Sequence, residues 1–205
     1  MTPASIPEVT RVLTAPGAMF EMEERVIRGI PTRVWKRLPG TLRELVSHAG
    51  SYGERIFLVY EDERLSYAEA FARVAKLATY LQRDCGVTKG ERVAVAMRNF
   101  PEWVISFYAA ASIGAIVVPL NAWWKSNELS YGLHDSGTRV LICDEERAHL
   151  LSSALGSLPN VKHVLVARAR ETLSAGMVPF ATALAAYPGV TALPEVAIDP
   201  EDDAT

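Results

Sequence analysis

The stretch Glu91–Asn121, ERVAVAMRNFPEWVISFYAAASIGAIVVPLN, decides the fold. Arg92–Met97 is a short apolar run without polar alternation, the pattern of a strand covered on both faces. Arg98, Asn99 and Phe100 make a turn. Pro101 suits a first helical position, where its missing N–H would have no partner anyway. From Glu102 to Ile113 nearly every side is apolar, so this helix is expected to be buried rather than amphipathic. Gly114 can take the left-handed conformation that stops it, and Ala115–Leu120 begins a second strand. Two buried strands joined by one helix form a right-handed βαβ unit in a parallel sheet.

Working outward, Thr41-Leu-Arg-Glu44 and Ser66-Tyr-Ala-Glu69 are capping boxes that open helices. The first helix is expected to bury Leu42, Leu45, Val46 and Ala49. The second is amphipathic, with Tyr67, Ala70, Phe71, Val74, Leu77, Ala78 and Leu81 at helical spacing and Gly86 at its end. Ile56–Tyr60 and Arg64–Ser66 flank Glu61-Asp62-Glu63, a hairpin with an acidic tip. Ser126 is expected to cap a helix closed by Gly137, Arg139–Cys143 is a strand, and Asp144 caps a helix through Leu155. Val161–Ala167 is a strand, and a last weak helix covers Pro179–Tyr187. The alternation of strands and helices gives an α/β fold with a mainly parallel sheet flanked by helices. Residues 1–40 carry five prolines and read as an extended N-terminal arm with one short strand or turn near Arg25–Ile30. Residues 41–187 form the α/β domain, and 188–205 are an extended, acidic, proline-bearing linker.

Composition sets limits. The 205 residues suffice for a full core, and a net charge of -3 leaves no basic stripe for nucleic acid. No apolar run is long enough to span a membrane, and the N-terminus lacks a signal-peptide pattern, so a cytoplasmic protein is expected. Cys85 and Cys143 lack metal or redox spacing and read as reduced structural thiols.

The usual catalytic signatures are missing. No glycine follows Met97 to cradle a dinucleotide, and no GxxxxGK[ST] loop occurs. Ser112 lies at the end of a helix, not on a strand-to-helix elbow, and reads as a buried or back-bonded serine. His48, His134, His149 and His163 are scattered without metal-ligand spacing. His134 and Asp135, adjacent on a helix, point about 100° apart and make no dyad. The residues read by themselves give a scaffold with no catalytic centre and no metal site.

A resemblance adds to this reading. Leu65–Ala70 and Ala111–Asn121 resemble the first two core motifs of adenylate-forming enzymes, the superfamily of acyl-CoA synthetases, firefly luciferase and nonribosomal-peptide adenylation domains. Lys89-Gly-Glu-Arg-Val-Ala94 between them is similar to the family's lead-in to its first sheet strand. Asp135-Ser-Gly137 followed by Arg139–Cys143 also fits. The resemblance runs in order over Thr41–Thr205. With Phe20-Glu-Met-Glu23 and Trp35, it looks most like bacterial medium- and long-chain fatty-acid–CoA ligases.

The resemblance implies a two-step reaction, in which a carboxylic acid and ATP give an acyl-adenylate and pyrophosphate, and coenzyme A then displaces AMP. ATP, Mg²⁺ and CoA would be needed by the full-length enzyme. Asp202-Asp-Ala-Thr205 resembles the family's lead-in to its phosphate loop, so the chain is expected to be an N-terminal piece, inactive alone and binding none of these groups tightly. By position, the resemblance puts Asn121, Ala122 and Arg147 on the CoA side, while Trp123-Trp124 read as the wall of a hydrophobic substrate channel, a subunit contact, or core and rim packing. Arg147 has a fork suited to phosphate, but on the first turns of a surface helix it also reads as a solvated residue. A fatty or other carboxylic acid is the implied partner. A homodimer is one alternative that the sequence does not choose. The rival function is a stand-alone, non-catalytic binding module derived from the same fold.

Overall fold

The computed structural model describes residues 5–205 and divides the chain into two units. The first, 5–40 with 199–201, holds helix α1 (Ile6–Leu13) and the antiparallel pair β1 (Met22–Ile27) and β2 (Ile30–Trp35). An extended arm with one short strand was the expectation, and its first four residues lie outside the described ones. Three local features build structure despite the prolines. Ser5 and Glu8 form a reciprocal capping box, and Pro7 falls in the first turn, where a missing N–H costs nothing. Arg28 and Gly29, both with positive φ, make the two-residue turn that suits a twisted ribbon, and Pro31 sits in a strand with only one neighbour.

The second unit, 41–198 with 202–205, opens with α2 (Leu42–Ala49). The hairpin β3 (Ile56–Tyr60) and β4 (Glu63–Ser66) follows, then α3 (Tyr67–Arg83). Thr41 accepts from the Glu44 N–H, and Ser66 and Glu69 complete their box in both directions. The alternating core is β5 (Arg92–Ala96), α4 (Pro101–Ala111), β6 (Ile116–Pro119), α5 (Ser126–Asp135), β7 (Val140–Asp144), α6 (Glu145–Leu151) and β8 (His163–Ala167). It ends with β9 (Met177–Pro179), which the sequence reading lacks, and α7 (Phe180–Ala185).

The five strands are all parallel in the order β6-β5-β7-β8-β9. Their side chains alternate between two cores. Val93, Val95, Val140, Ile142 and Leu165 face a cluster built with α3, α4 and α7, while Ala94, Ala96, Leu141, Cys143, Val164 and Val166 face one built with α5 and α6. That double covering is why these strands carry no polar alternation. Gly114 stops α4 at φ +72, where an added Cβ would lie 3.1 Å from Lys89 Cγ.

Four local expectations change. Val46 alone is fully buried on α2, and Leu45 stays exposed because that helix lies at the margin of the core. The cap of α5 is Lys125, one residue before Ser126; its backbone N–H is held by Glu128, since an ammonium has no lone pair to offer. Helix α6 stops at Leu151, and a separate turn of 3₁₀-helix covers Leu155–Ser157. Residues 188–198 and 202–205 are irregular but docked: Leu193 and Val196 pack on the first core, and the Val117 N–H donates to Ala204 O at 2.8 Å. Ser112 is fully buried, and its hydroxyl has no partner among the described residues, so it is not back-bonded.

Candidate functional site

In an open parallel sheet, ligands collect at the carboxyl ends of the strands, where successive connections leave in opposite directions. Here β5 connects outward to β6 through α4, while β7 lies on the other side of β5. The divergence therefore falls between β5 and β7. Around it sit Arg98–Phe100 after β5, Asn121–Lys125 after β6, Asp144 at the end of β7 and Arg168 after β8.

Asp144 ties this edge together. It accepts from the Arg98 N–H across the divergence at 3.0 Å, and from the Arg147 N–H as the cap of α6 at 3.0 Å. Arg147 Nη1 lies 2.9 and 3.2 Å from the two Asp144 oxygens and 2.8 Å from Glu146 Oε2. Its Nη2 donates to the carbonyl of Ala122. Arg147 is 2% exposed and its Nε has no acceptor among the described residues. The solvated reading of Arg147 is thus replaced by a buried one. The structure brings Arg147 and Ala122 together, but as a clamp of protein groups.

The residues after β6 divide their work. Asn121 Oδ1 accepts from the Trp123 N–H at 2.9 Å, which folds the loop back on itself. Trp124 packs on the second core, so close to α5 that a Cβ at Gly132 would lie 3.1 Å from its ring. Trp123 instead is 72% exposed, with the Arg98 guanidinium over its ring at 3.9 Å. Tyr60, Arg98, Asn99, Phe100, Ala122 and Trp123 line a hollow of about 470 Å³.

Arg168 closes the hairpin side of this edge. At φ +55 it lies over both Tyr60 and Phe100 at 4.7 Å and pairs with Glu63 at 2.9 Å and Glu102 at 3.1 Å. Burial opposes its charge, but the hydrogen bonds to Glu63 and Glu102 outweigh that and raise its pKa above the usual value. The phenol of Tyr60 is raised as well, by desolvation and then by the charge of Glu61. A second hollow, of about 220 Å³, is walled by aromatic and apolar side chains such as Tyr52, Phe57, Tyr67 and Phe71, away from the strand ends. Among the described residues no group of three or more His, Cys, Asp or Glu side chains could hold a metal ion.

Arg98, Asn99 and Arg168 are absent from the residues that the sequence singles out for ligand contact. Their signal is positional: Arg168 directly follows β8, and Arg98 and Asn99 lie within three residues of the end of β5.

The fold defines a doubly wound parallel α/β domain, with Arg98, Asn121–Trp124, Asp144 and Arg168 at or just beyond the carboxyl ends of its strands. Residues 45–205 match the family described as AMP-binding enzyme, and the chain belongs to that family. It is 31% identical over 135 residues to a long-chain-fatty-acid–CoA ligase of Salmonella typhimurium, covering 65% of this chain and 24% of that protein. To acetyl-coenzyme A synthetase 1 of Candida glabrata it is 34% identical over 136 residues, covering 59% and 19%. A crystal structure of an anthranilate CoA ligase in complex with anthranoyl-AMP superposes with a TM-score of 0.73 at 27% identity, covering 80% of this chain and 32% of that one. The chain thus spans about a quarter or less of the length of these curated relatives.

Proposed function

We propose that this chain is the N-terminal part of an ATP-dependent acyl-CoA synthetase acting in the cytoplasm on a medium- or long-chain fatty acid. The observation that carries the reading is the family match over residues 45–205, on a parallel sheet that leaves a hollow at its carboxyl edge. The acids named in the three similar proteins differ, so the preference for a fatty acid rests on the Salmonella relative. No helix among the described residues is long and apolar enough to cross a membrane.

In this reading residues 41–187 supply the sheet and the wall of the site, and 188–205 lead on toward phosphate-binding residues. Mg²⁺ does not fit the residues present, because no group of three or more His, Cys, Asp or Glu side chains that could hold it gathers among the described ones. The loop at Asn121-Ala122 suits the CoA side better than Arg147, whose Nη groups are already engaged.

The test is to read the gene past codon 205 and assay the product for acid-dependent ATP–pyrophosphate exchange with acids of graded chain length. Exchange that is strongest with medium or long acyl chains is expected. A product that exchanges with no acid overturns the reading, and a stop codon after Thr205 turns it toward the binding module.

A further inference from the structure

We infer that the hollow of about 220 Å³ between α2, β3, α3 and α4 is a binding site for one small uncharged aromatic molecule, of the size of indole. Val46, Ala70, Val74 and Ile105, each 6% exposed or less, line its inner side. Leu45 and Tyr52, each 43% exposed, line its outer side, so the hollow is closed within and reachable from solvent. No charged side chain lines it. A charged ligand would lose its hydration there and find no counter-charge, which restricts the occupant to a neutral one.

The wall is aromatic and already braced. Tyr67 stacks on Phe57 at 4.5 Å and lies 5.0 Å from Tyr52. Tyr52 in turn meets the His48 ring edge-on at 5.8 Å and the Arg55 guanidinium at 5.7 Å. Phe71 is seated against Gly50, where an added Cβ would lie 3.3 Å from its Cγ. Rings that hold one another keep the hollow in shape before any ligand arrives, which lowers the entropy lost on binding. Between them Ala49 and Ala70 present only methyl groups, and the free space is what longer side chains would fill. Volume narrows the class of ligand. An apolar cavity of about 150 Å³ takes benzene, whereas drug-sized ligands occupy about 300 Å³ or more. This hollow falls between the two, which suits one ring or two fused ones. Offset and edge-on ring pairs add roughly two- to tenfold in affinity beyond apolar burial, so these walls favour an aromatic ring over an alkyl group of equal volume.

The inference goes beyond the ligase reading and does not depend on it; pyrophosphate exchange by the extended gene product reports on that reading separately. The test is a calorimetric titration of the 205-residue chain with indole, toluene, cyclohexane and octanoate, with the urea midpoint read by far-UV circular dichroism at each ligand concentration. Indole and toluene are expected to bind one per chain and to raise the midpoint as their concentration rises. Both should bind at least about threefold tighter than cyclohexane or octanoate. Ala70→Leu and Val104→Phe each add bulk inside the hollow and should weaken indole binding about tenfold or more. Where one of these two does not fold, the other decides. Tyr67→Leu removes the central ring and should weaken indole binding about fivefold while leaving cyclohexane within about twofold, a contrast that loosened packing alone would not produce. No binding of indole up to its solubility, octanoate or cyclohexane binding as tightly as indole, or a filled variant that binds as before would overturn the inference. A chain that dimerises with concentration and is returned to the monomer by Val104→Phe would overturn it too, because a second copy would then occupy this face.

Discussion

Replacing Asp144 with alanine removes three functions of one buried carboxylate. It uncaps α6, releases the Arg98 N–H and strands the Arg147 guanidinium, whose side chain is 3% exposed. Loss of a helix cap costs about 1 kcal/mol. Leaving one partner of a buried ion pair alone costs about 3–5 kcal/mol. The two overlap, and Glu146, with a side chain 67% exposed, keeps one contact to Arg147, so the lower end applies. A loss of about 3 kcal/mol is expected. With a urea dependence of about 2 kcal/mol per molar, the unfolding midpoint falls by about 1.5 M. Equilibrium denaturation followed by tryptophan fluorescence and far-UV circular dichroism reads this directly. The double variant Asp144→Leu with Arg147→Met removes both charges and should recover most of the loss, because well-packed apolar groups replace a buried pair at little cost. A midpoint shift below about 0.5 M for the single variant, or a double variant no better than it, would refute the clamp.

Three further outcomes follow from single positions. Ser112→Ala should leave stability unchanged or raise it by up to about 1 kcal/mol in the same denaturation, since it deletes a buried hydroxyl that has no partner. Gly114→Ala should destabilise by about 1–2 kcal/mol, because φ +72 is costly for any side chain and the Cβ meets Lys89; an unchanged midpoint would show that α4 does not need this stop. Burial pushes the thiol of Cys85 up to about 12 and that of Cys143 higher than its ordinary value, so neither should react with a disulfide reagent at pH 8 until urea is added. Both thiols bind protons more tightly when folded, so their contribution to stability is complete below the unfolded value of 9.0 and lost as the pH rises from there.

Much of the fold was legible because its signals are local. Both strands and the helix of 91–121, the reciprocal box at Ser66 and Glu69 and the stop at Gly114 depend on neighbours within a few residues, and each is in place. The first unit was legible in part: Ser5-Ile-Pro-Glu8 is itself a capping box, but the count of prolines obscured that one sat at a permitted position. The three-residue strand β9 carries too little pattern to stand out from the loop before it.

For the candidate site, sequence alone determined which residue types end the strands: an arginine after β5, tryptophans after β6, a capping aspartate at β7 and an arginine after β8. It also set the family, through motifs that keep their order. Only the tertiary structure decided which cations are free. Arg147 and Arg98 are similar in sequence terms, yet one is consumed by Asp144 and a carbonyl 25 positions away, and the other is left on an aromatic ring. That difference arises because β7 pairs with β5 and not with β6, its predecessor in the chain. Local propensity shapes each strand and helix, whereas burial and partner choice are set by which strands lie side by side.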